Sequence, residues 1–381
     1  EKNDYEMPWT GTPAGVNFSF SPLMACQPKA MEAMAMLRAM SGSQENLERE
    51  TKMLEMLASH IGLEGVYWVP ASPNKLWFST MKDRKHANVH GQGRMLRAMI
   101  AWYQYTGDPK WKNLVDRMVD GLDRLMVVHK DDYAYFPTYG WVEDNEYFRS
   151  CYTEQGWKDT KEPENEKAGE EGSLFNHQGH IPGPLANWYR LTGNKQALRL
   201  SGELVRFLTK PQFWADWPAG DYPGVVGADH AHWRGHYTAH LNTLRAILDY
   251  AVATSDVRLM QFVRDGYEAA RQQVFARIGF GGGCCGHPRL LGLAVKLSEA
   301  GVGDYWEDVD LYIRNHVTEM QFTPEDIPYL KALGGQAAKD ECINNMIGGF
   351  GNVIFKNYWQ LCCSPHGNMG LFYAWDGTLR Y

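Results

Sequence analysis

The side chains of this sequence best suited to chemistry are its thiols and imidazoles. Of seven cysteines, four stand in two adjacent pairs, one in Gly283-Cys284-Cys285-Gly286-His287 and one in Leu361-Cys362-Cys363-Ser364-Pro365-His366. Neighbouring cysteines do not readily bridge each other, and the spacing is not that of a secreted disulfide framework. Thiolates supplied in two pairs suit a soft tetrahedral ion, so Zn2+ is the expected cofactor, with Cys284, Cys285, Cys362 and Cys363 as candidate ligands. Adjacent thiols are awkward donors to one ion, so three of these four are expected to bind, leaving a position for another side chain or water. Two plainer readings stand beside this one: a closed structural zinc with every sulfur bound, or cysteines buried as small apolar residues.

Histidine recurs next to glycine, or one residue from it, in five segments: HANVHGQGR (86–94), NHQGHIPG (176–183), WRGHYTAH (233–240), CCGHPRLLG (284–292) and CCSPHGNMG (362–370). Each opens an apolar helical run. If these runs are equivalent, His90, His180, His236, His287 and His366 converge on one pocket, able to hold sugar hydroxyls or move protons. A lone histidine at a helix start is ordinarily a satisfied structural residue; five at one phase argue for a site. His180, His236 and Tyr237 are the candidate proton carriers. Gln92, His177, His230, His232 and Trp233 are candidate substrate contacts from the same segments and from the aromatic connection before His236. Arg234 would grip a carboxylate beside them.

The elements that must position these groups are helical hairpins. Met34 to Ile61, Trp102 to Leu125, Trp188 to Leu208, Asp249 to Arg271 and Leu293 to Val317 each end one helix, break, and begin another. The breaks Thr106-Gly107-Asp108, Thr192-Gly193-Asn194 and Thr254-Ser255-Asp256 combine C-cap and N-cap residue types. The second helices carry helical apolar spacing, as in Leu114, Met118, Leu122 and Leu125. Strand-like alternation is nearly absent. Five hairpins and a final helix near Cys363 predict an all-α fold, an (α/α)6 toroid, with a straight solenoid as the competing layout. The expected organisation is one α/α-barrel domain over 1–381, with a helical core over 28–375. Residues 376–381 would run into a strand or turn, where a following β domain would begin. Val127 to Phe175, Phe213 to Gly235 and Gln321 to Ile354 are expected as long connections, the last with little regular structure.

Composition narrows the partners. A formal net charge of -7 with no cluster of Lys or Arg weighs against nucleic acid. No apolar run approaches the roughly 18 to 20 residues of a membrane span. The 14 Trp, 20 Tyr and 15 Phe suit a carbohydrate-stacking cleft as well as a helical core. The sequence opens at Glu1 rather than Met, so no leader is legible, and the cysteines fix no compartment. In the phase occupied by the histidines there is no acidic residue, so the two-carboxylate arrangement of most glycosidases has little support.

With Gly179-His180, Trp188-Tyr189-Arg190-Leu191-Thr192-Gly193, Gly235-His236, the helix after Cys285 and Cys362-Cys363, the chain resembles the β-L-arabinofuranosidase superfamily of glycoside hydrolases from about Pro28 onward. The resemblance implies an α/α six-barrel followed by β-sandwich domains, and zinc held by a Glu-x-Cys and a Cys-Cys pair. It also implies attack on the anomeric carbon by the first cysteine of that pair. Cys285 then matches the Glu-x-Cys cysteine, Cys362 inherits the nucleophile, and His180 and His236 match histidines lining the sugar site. Gly283 stands where that family has its ligand Glu, with Cys284 as a substitute. The segment expected to carry the acid Glu reads Ile278-Gly279-Phe280-Gly281-Gly282. The expected function is hydrolysis of a terminal sugar from an oligo- or polysaccharide. Elimination from a uronic-acid residue by a lyase or dehydratase, and sugar binding without catalysis, are the alternatives. A periplasmic or secreted location follows from the resemblance alone.

Overall fold

The computed structural model describes residues 9–10, 26–71, 84–137, 151–164, 178–214, 228–233, 236–275, 277–281, 285–332, 342–351, 356, 359–360 and 364–378. Helices dominate these residues and alternate between two layers. In chain order they are α1 (Gln27–Ser41), α2 (Leu47–Ser59), α3 (Val89–Thr106), α4 (Pro109–Leu125), α5 (Pro182–Thr192) and α6 (Lys195–Leu208). There follow α7 (Tyr237–Thr254), α8 (Val257–Arg271), α9 (Gly286–Glu299), α10 (Trp306–Tyr312), α11 (Ile327–Ala332) and α12 (Ser364–Thr378). Helices α1, α3, α5, α7, α9 and α12 pack on one another in that order, and α12 packs back on α1. The six form a closed inner ring, with α2, α4, α6, α8 and α10 each laid outside the inner helix that precedes it. This is the (α/α)6 toroid; a straight solenoid would leave its first and last repeats apart.

The sequence determines the two layers through the breadth of each helix's apolar face. In α4 the buried side chains Trp111, Val115, Met118, Leu122 and Leu125 form one stripe, as an outer helix requires. In α7 every residue from Ala239 to Asp249 is buried, because α5, α9 and the outer layer enclose it. The breaks use the chemistry read from the sequence. Gly107 and Gly193 close α3 and α5 in the left-handed conformation, at φ 68° and 76°. The side chains of Asp108, Asn194 and Asp256 accept backbone N–H bonds from Lys110, Ala197 and Leu259 to start α4, α6 and α8. Ser255 takes the left-handed position after α7, at φ 58°.

Two connections and the end of the last helix differ from expectation. Val127–His129 and Tyr133–Tyr135 pair as an antiparallel hairpin, its turn made by Lys130 and Asp131 at positive φ. The region expected to be irregular after Gln321 holds α11 and a satellite core of Phe322, Leu330, Ile343 and Met346, whose spacing is too irregular to signal a helix. Helix α12 continues through Thr378 instead of yielding to a strand after residue 375, since Phe372, Tyr373 and Ala374 pack into the main core and carry the helix onward. Residues 379–381 lie outside the described residues.

Candidate functional site

The starts of the inner helices come together at one end of the ring. His180 closes a short 3-10 turn, Gln178–His180, that leads into α5, and its ring stacks on His90 of α3 with centroids 4.4 Å apart and planes 11° apart. Gly93 makes this approach possible: a Cβ there would lie 2.7 Å from the backbone of His180. His366, in the first turn of α12, accepts from Arg289 Nε of α9 at 3.1 Å and contacts Cys285, the half-buried N-cap residue of α9. His236 caps α7, its Nδ1 accepting from the N–H of Ala239 at 3.2 Å. Arg289 and Cys285 both act on its charge state. Thus His90, His180, His236, His366 and Cys285 share one mouth, supplied by five of the six inner helices or their leading turns.

His287 is the exception to the expected convergence. It lies two residues beyond Cys285, about 200° around the helix by the 3.6-residue repeat, and so faces the outer layer. There it stacks on His316 at 3.9 Å and meets Tyr312 edge-on.

The other candidates are placed as follows. Both ends of the Gln92 amide are spent on the backbone of Tyr67, at 2.9 and 2.6 Å. The Tyr237 hydroxyl donates to the carbonyl of Ala270 on α8, and burial pushes its pKa up. Trp233 is buried, stacked on His240 at 5.0 Å. His230 bonds Asp265 of α8 at 2.8 Å and lies beside His232. Tyr237 and His230 are thus tied to α8 of the outer layer, while Gln92 is held by the connection between α2 and α3 and Trp233 packs on α7. His177, Arg234, Cys284, Cys362 and Cys363 lie outside the described residues.

The mouth and the axis below it carry a surplus of positive charge. Lys29, in the first turn of α1, lies 3.5 Å from Nδ1 of His366; one helical turn inward stand Arg94 and Arg289, i+4 from His90 and Cys285, and beyond them Arg97 and Arg245. Against these the inner helices bury two carboxylates among the described residues: Glu32, which pairs with Arg97 at 2.9 Å, and Asp249, which pairs with Lys296. Burial first, and neighbouring guanidinium charge second, lower the pKa of Arg94 to about 9. Arg289 falls to about 10, chiefly through burial. Burial holds His180 and His366 well below the usual imidazole range, reinforced by Arg94 for the first and Lys29 for the second. These imidazoles are neutral near pH 7. His180 is fully buried and neither ring nitrogen meets a hydrogen-bond partner.

In sequence these arginines carry little signal, because an arginine in a helix is ordinarily part of a solvated face. For Arg94 and Arg289 the signal is position: each sits four residues after a mouth residue. A larger cavity, about 370 Å³, opens at the opposite end of the ring around Gln104, Leu191, Glu299 and Asp376, away from the thiol and imidazoles.

Among the described residues no group of three His, Cys, Asp or Glu side chains is arranged to hold a metal ion. Cys285 and His366 do bring the approaches to both cysteine pairs together, since Cys363 is three residues before His366. A thiolate-rich zinc centre is anionic, so the guanidiniums beside Cys285 match its charge.

By sequence, no family model and no curated protein matches the chain. Solved structures do. A cellobiose 2-epimerase from Spirochaeta thermophila DSM 6192 aligns with a TM-score of 0.62 at 10% identity, covering 98% of this chain and 90% of its own. The GH76A α-1,6-mannanase from Salegentibacter sp. HEL1_6 aligns at 0.53 and 11%, covering 92% and 89%. A GH127 β-L-arabinofuranosidase from Geobacillus stearothermophilus T6 aligns at 0.53 and 14%, over 92% of this chain and 55% of that one. At these identities the likeness establishes the fold, the (α/α)6 toroid.

Proposed function

We propose that this chain is a carbohydrate-active enzyme that hydrolyses a terminal sugar from an oligo- or polysaccharide at a cysteine site in the barrel mouth. The observation that carries the reading is Cys285 in contact with His366 and within charge reach of Arg94 and Arg289. Neighbouring cations favour the thiolate, the nucleophilic and metal-binding form of cysteine. Cys285, with Cys284, Cys362 and Cys363, would hold zinc, which when bound keeps coordinated sulfur deprotonated and ordered. Cys362, two residues after the Trp359–Gln360 strand and four before His366, is the proposed nucleophile. Its sulfur forms a bond to the anomeric carbon as the glycosidic C–O bond breaks, and water later displaces the thiolate. With Nδ1 of His236 accepting the Ala239 N–H, the neutral ring carries its proton on Nε2, which can hydrogen-bond the departing oxygen while that oxygen takes its proton from water. His180, with both nitrogens unpartnered, suits sugar hydroxyls.

A second reading is favoured by the neutral imidazoles among guanidiniums. A neutral histidine beside positive charge can take the proton next to a uronate carboxylate, whose developing negative charge the arginines would stabilise. Expulsion of the β-oxygen then leaves a conjugated double bond. Incubation with arabinosyl and uronyl oligosaccharides decides: new reducing ends without ultraviolet absorbance mark hydrolysis, and rising absorbance marks elimination. Sugar binding with neither product would overturn both in favour of a non-catalytic relative.

A further inference from the structure

The waist of the barrel, between the mouth and the larger cavity, poses a charge problem that the proposed reaction does not answer. Arg94, Arg97, Arg245 and Arg289 line a cavity of about 10 Å³ there, together with Asn242 and His366. That space accommodates roughly one water or one monatomic ion. Arg97 is neutralised by Glu32. The other three arginines have no ion-pair partner among the described residues. Arg94 bonds His90, Arg245 bonds Tyr373 and lies over its ring at 4.3 Å, and Arg289 bonds His366 and the carbonyl of Thr238. All three are at least nine-tenths buried, and Nε of Arg245 meets no hydrogen-bond acceptor. A guanidinium does not lose its proton in a protein, and buried charge is ordinarily paired.

We infer that the cavity at the barrel waist binds a monatomic anion of the halide class, chloride under ordinary conditions, against Arg245, Arg94 and Arg289. The side-chain amide of Asn242 lines the same space while its N–H donates to the carbonyl of Gly179 at 2.7 Å, fixing the wall next to His180. Glu32 offsets one charge, and Cys285 as a thiolate would offset a second at the mouth, leaving the waist positive. The cavity is too small for a carboxylate, sulfate or phosphate, so an oxyanion substrate would meet Arg94 and Arg289 only from the mouth.

The test uses the whole chain. Crystals soaked in bromide are expected to show an anomalous peak between Arg245, Arg94 and Arg289, and the melting temperature is expected to rise with chloride at constant ionic strength, balanced by gluconate. Arg245→Met should weaken the chloride dependence at least tenfold in midpoint concentration. If that variant does not fold, the bromide peak in the unaltered protein decides alone. No peak with no chloride dependence would overturn the inference. An equal shift with acetate would also overturn it, by showing that the responding site admits an organic anion.

Discussion

The rings of His90 and His180 lie 4.4 Å apart, nearly parallel, although they belong to successive hairpins of the toroid. Stacked imidazoles flanked by Arg94 cannot both be protonated cheaply, and His180 is held neutral by burial and by that arginine. Replacing His180 by Leu removes two buried ring nitrogens that have no partner, so the fold should lose little, within about 1.5 kcal/mol. If His180 holds a sugar hydroxyl or a proton in flight, turnover should fall by about 100-fold or more. Thermal melting and kcat/KM on the same variant check this. An active, unfolding-prone variant would mark His180 as a packing residue.

Cys285→Ser tests the sulfur chemistry without a change of shape. The unaltered protein is expected to carry about one zinc per chain by elemental analysis. The serine variant should bind it far more weakly and melt earlier after chelation. A metal-free protein with full activity would contradict the zinc proposal, and activity unchanged by the serine would contradict the thiolate site.

Acid stability should follow the buried histidines. Burial lowers His240 and His287 to about 3 and His316 to about 4, so all three are neutral in the folded protein and protonated in the unfolded chain below its ordinary pKa. The unfolded state therefore binds more protons between about pH 6.5 and pH 4. Stability falls as pH falls through that window, by about 1.4 kcal/mol per pH unit for each histidine. Denaturant melts at pH 7, 6 and 5 measure the slope. His316→Phe, keeping the stack on His287, should flatten it.

Glu32→Gln isolates the electrostatics of the axis. It removes the carboxylate that Arg97 grips and that Arg94 and Arg245 also feel. Breaking a buried pair on one side typically costs about 3 to 5 kcal/mol. The double variant Glu32→Gln, Arg97→Met should recover much of that loss, and chemical denaturation of the set gives the coupling.

Gly93→Ala introduces a Cβ 2.7 Å from the backbone of His180. Overpacking of this kind costs about 1 to 3 kcal/mol, and it should separate the His90 and His180 rings. Loss of activity exceeding the loss of stability would show that the stacked arrangement matters to the reaction.

The toroid was legible because its signals are local. A glycine at a helix end, an Asp or Asn at the next start, and apolar residues at helical spacing each announce themselves within a few positions, as at Tyr103 to Lys110. The mouth was legible in part for the same reason, since His90, His180, His236 and His366 repeat at one phase. His287 shared the motif but not the direction, because a shift of two residues turns a side chain to the far side of a helix. The arginines were missed because their meaning depends on neighbours distant in sequence. Arg289 is significant only beside His366 and Arg94 only beside His180, and no short window contains either pairing. Tyr237 and Gln92 had the right chemistry, yet their polar atoms are engaged by Ala270 and Tyr67, a matter of packing that spacing does not encode.

The seal between α12 and α1 has a bearing on how this protein comes into being. During synthesis the first hairpins can form as they emerge, but His366 arrives only with the last inner helix, some 276 positions after His90. Until that helix slots beside α1, the arginines of α3, α7 and α9 surround an open trough reachable by water. The desolvation of the mouth therefore depends on closure of the ring, since α12 packs on both α9 and α1.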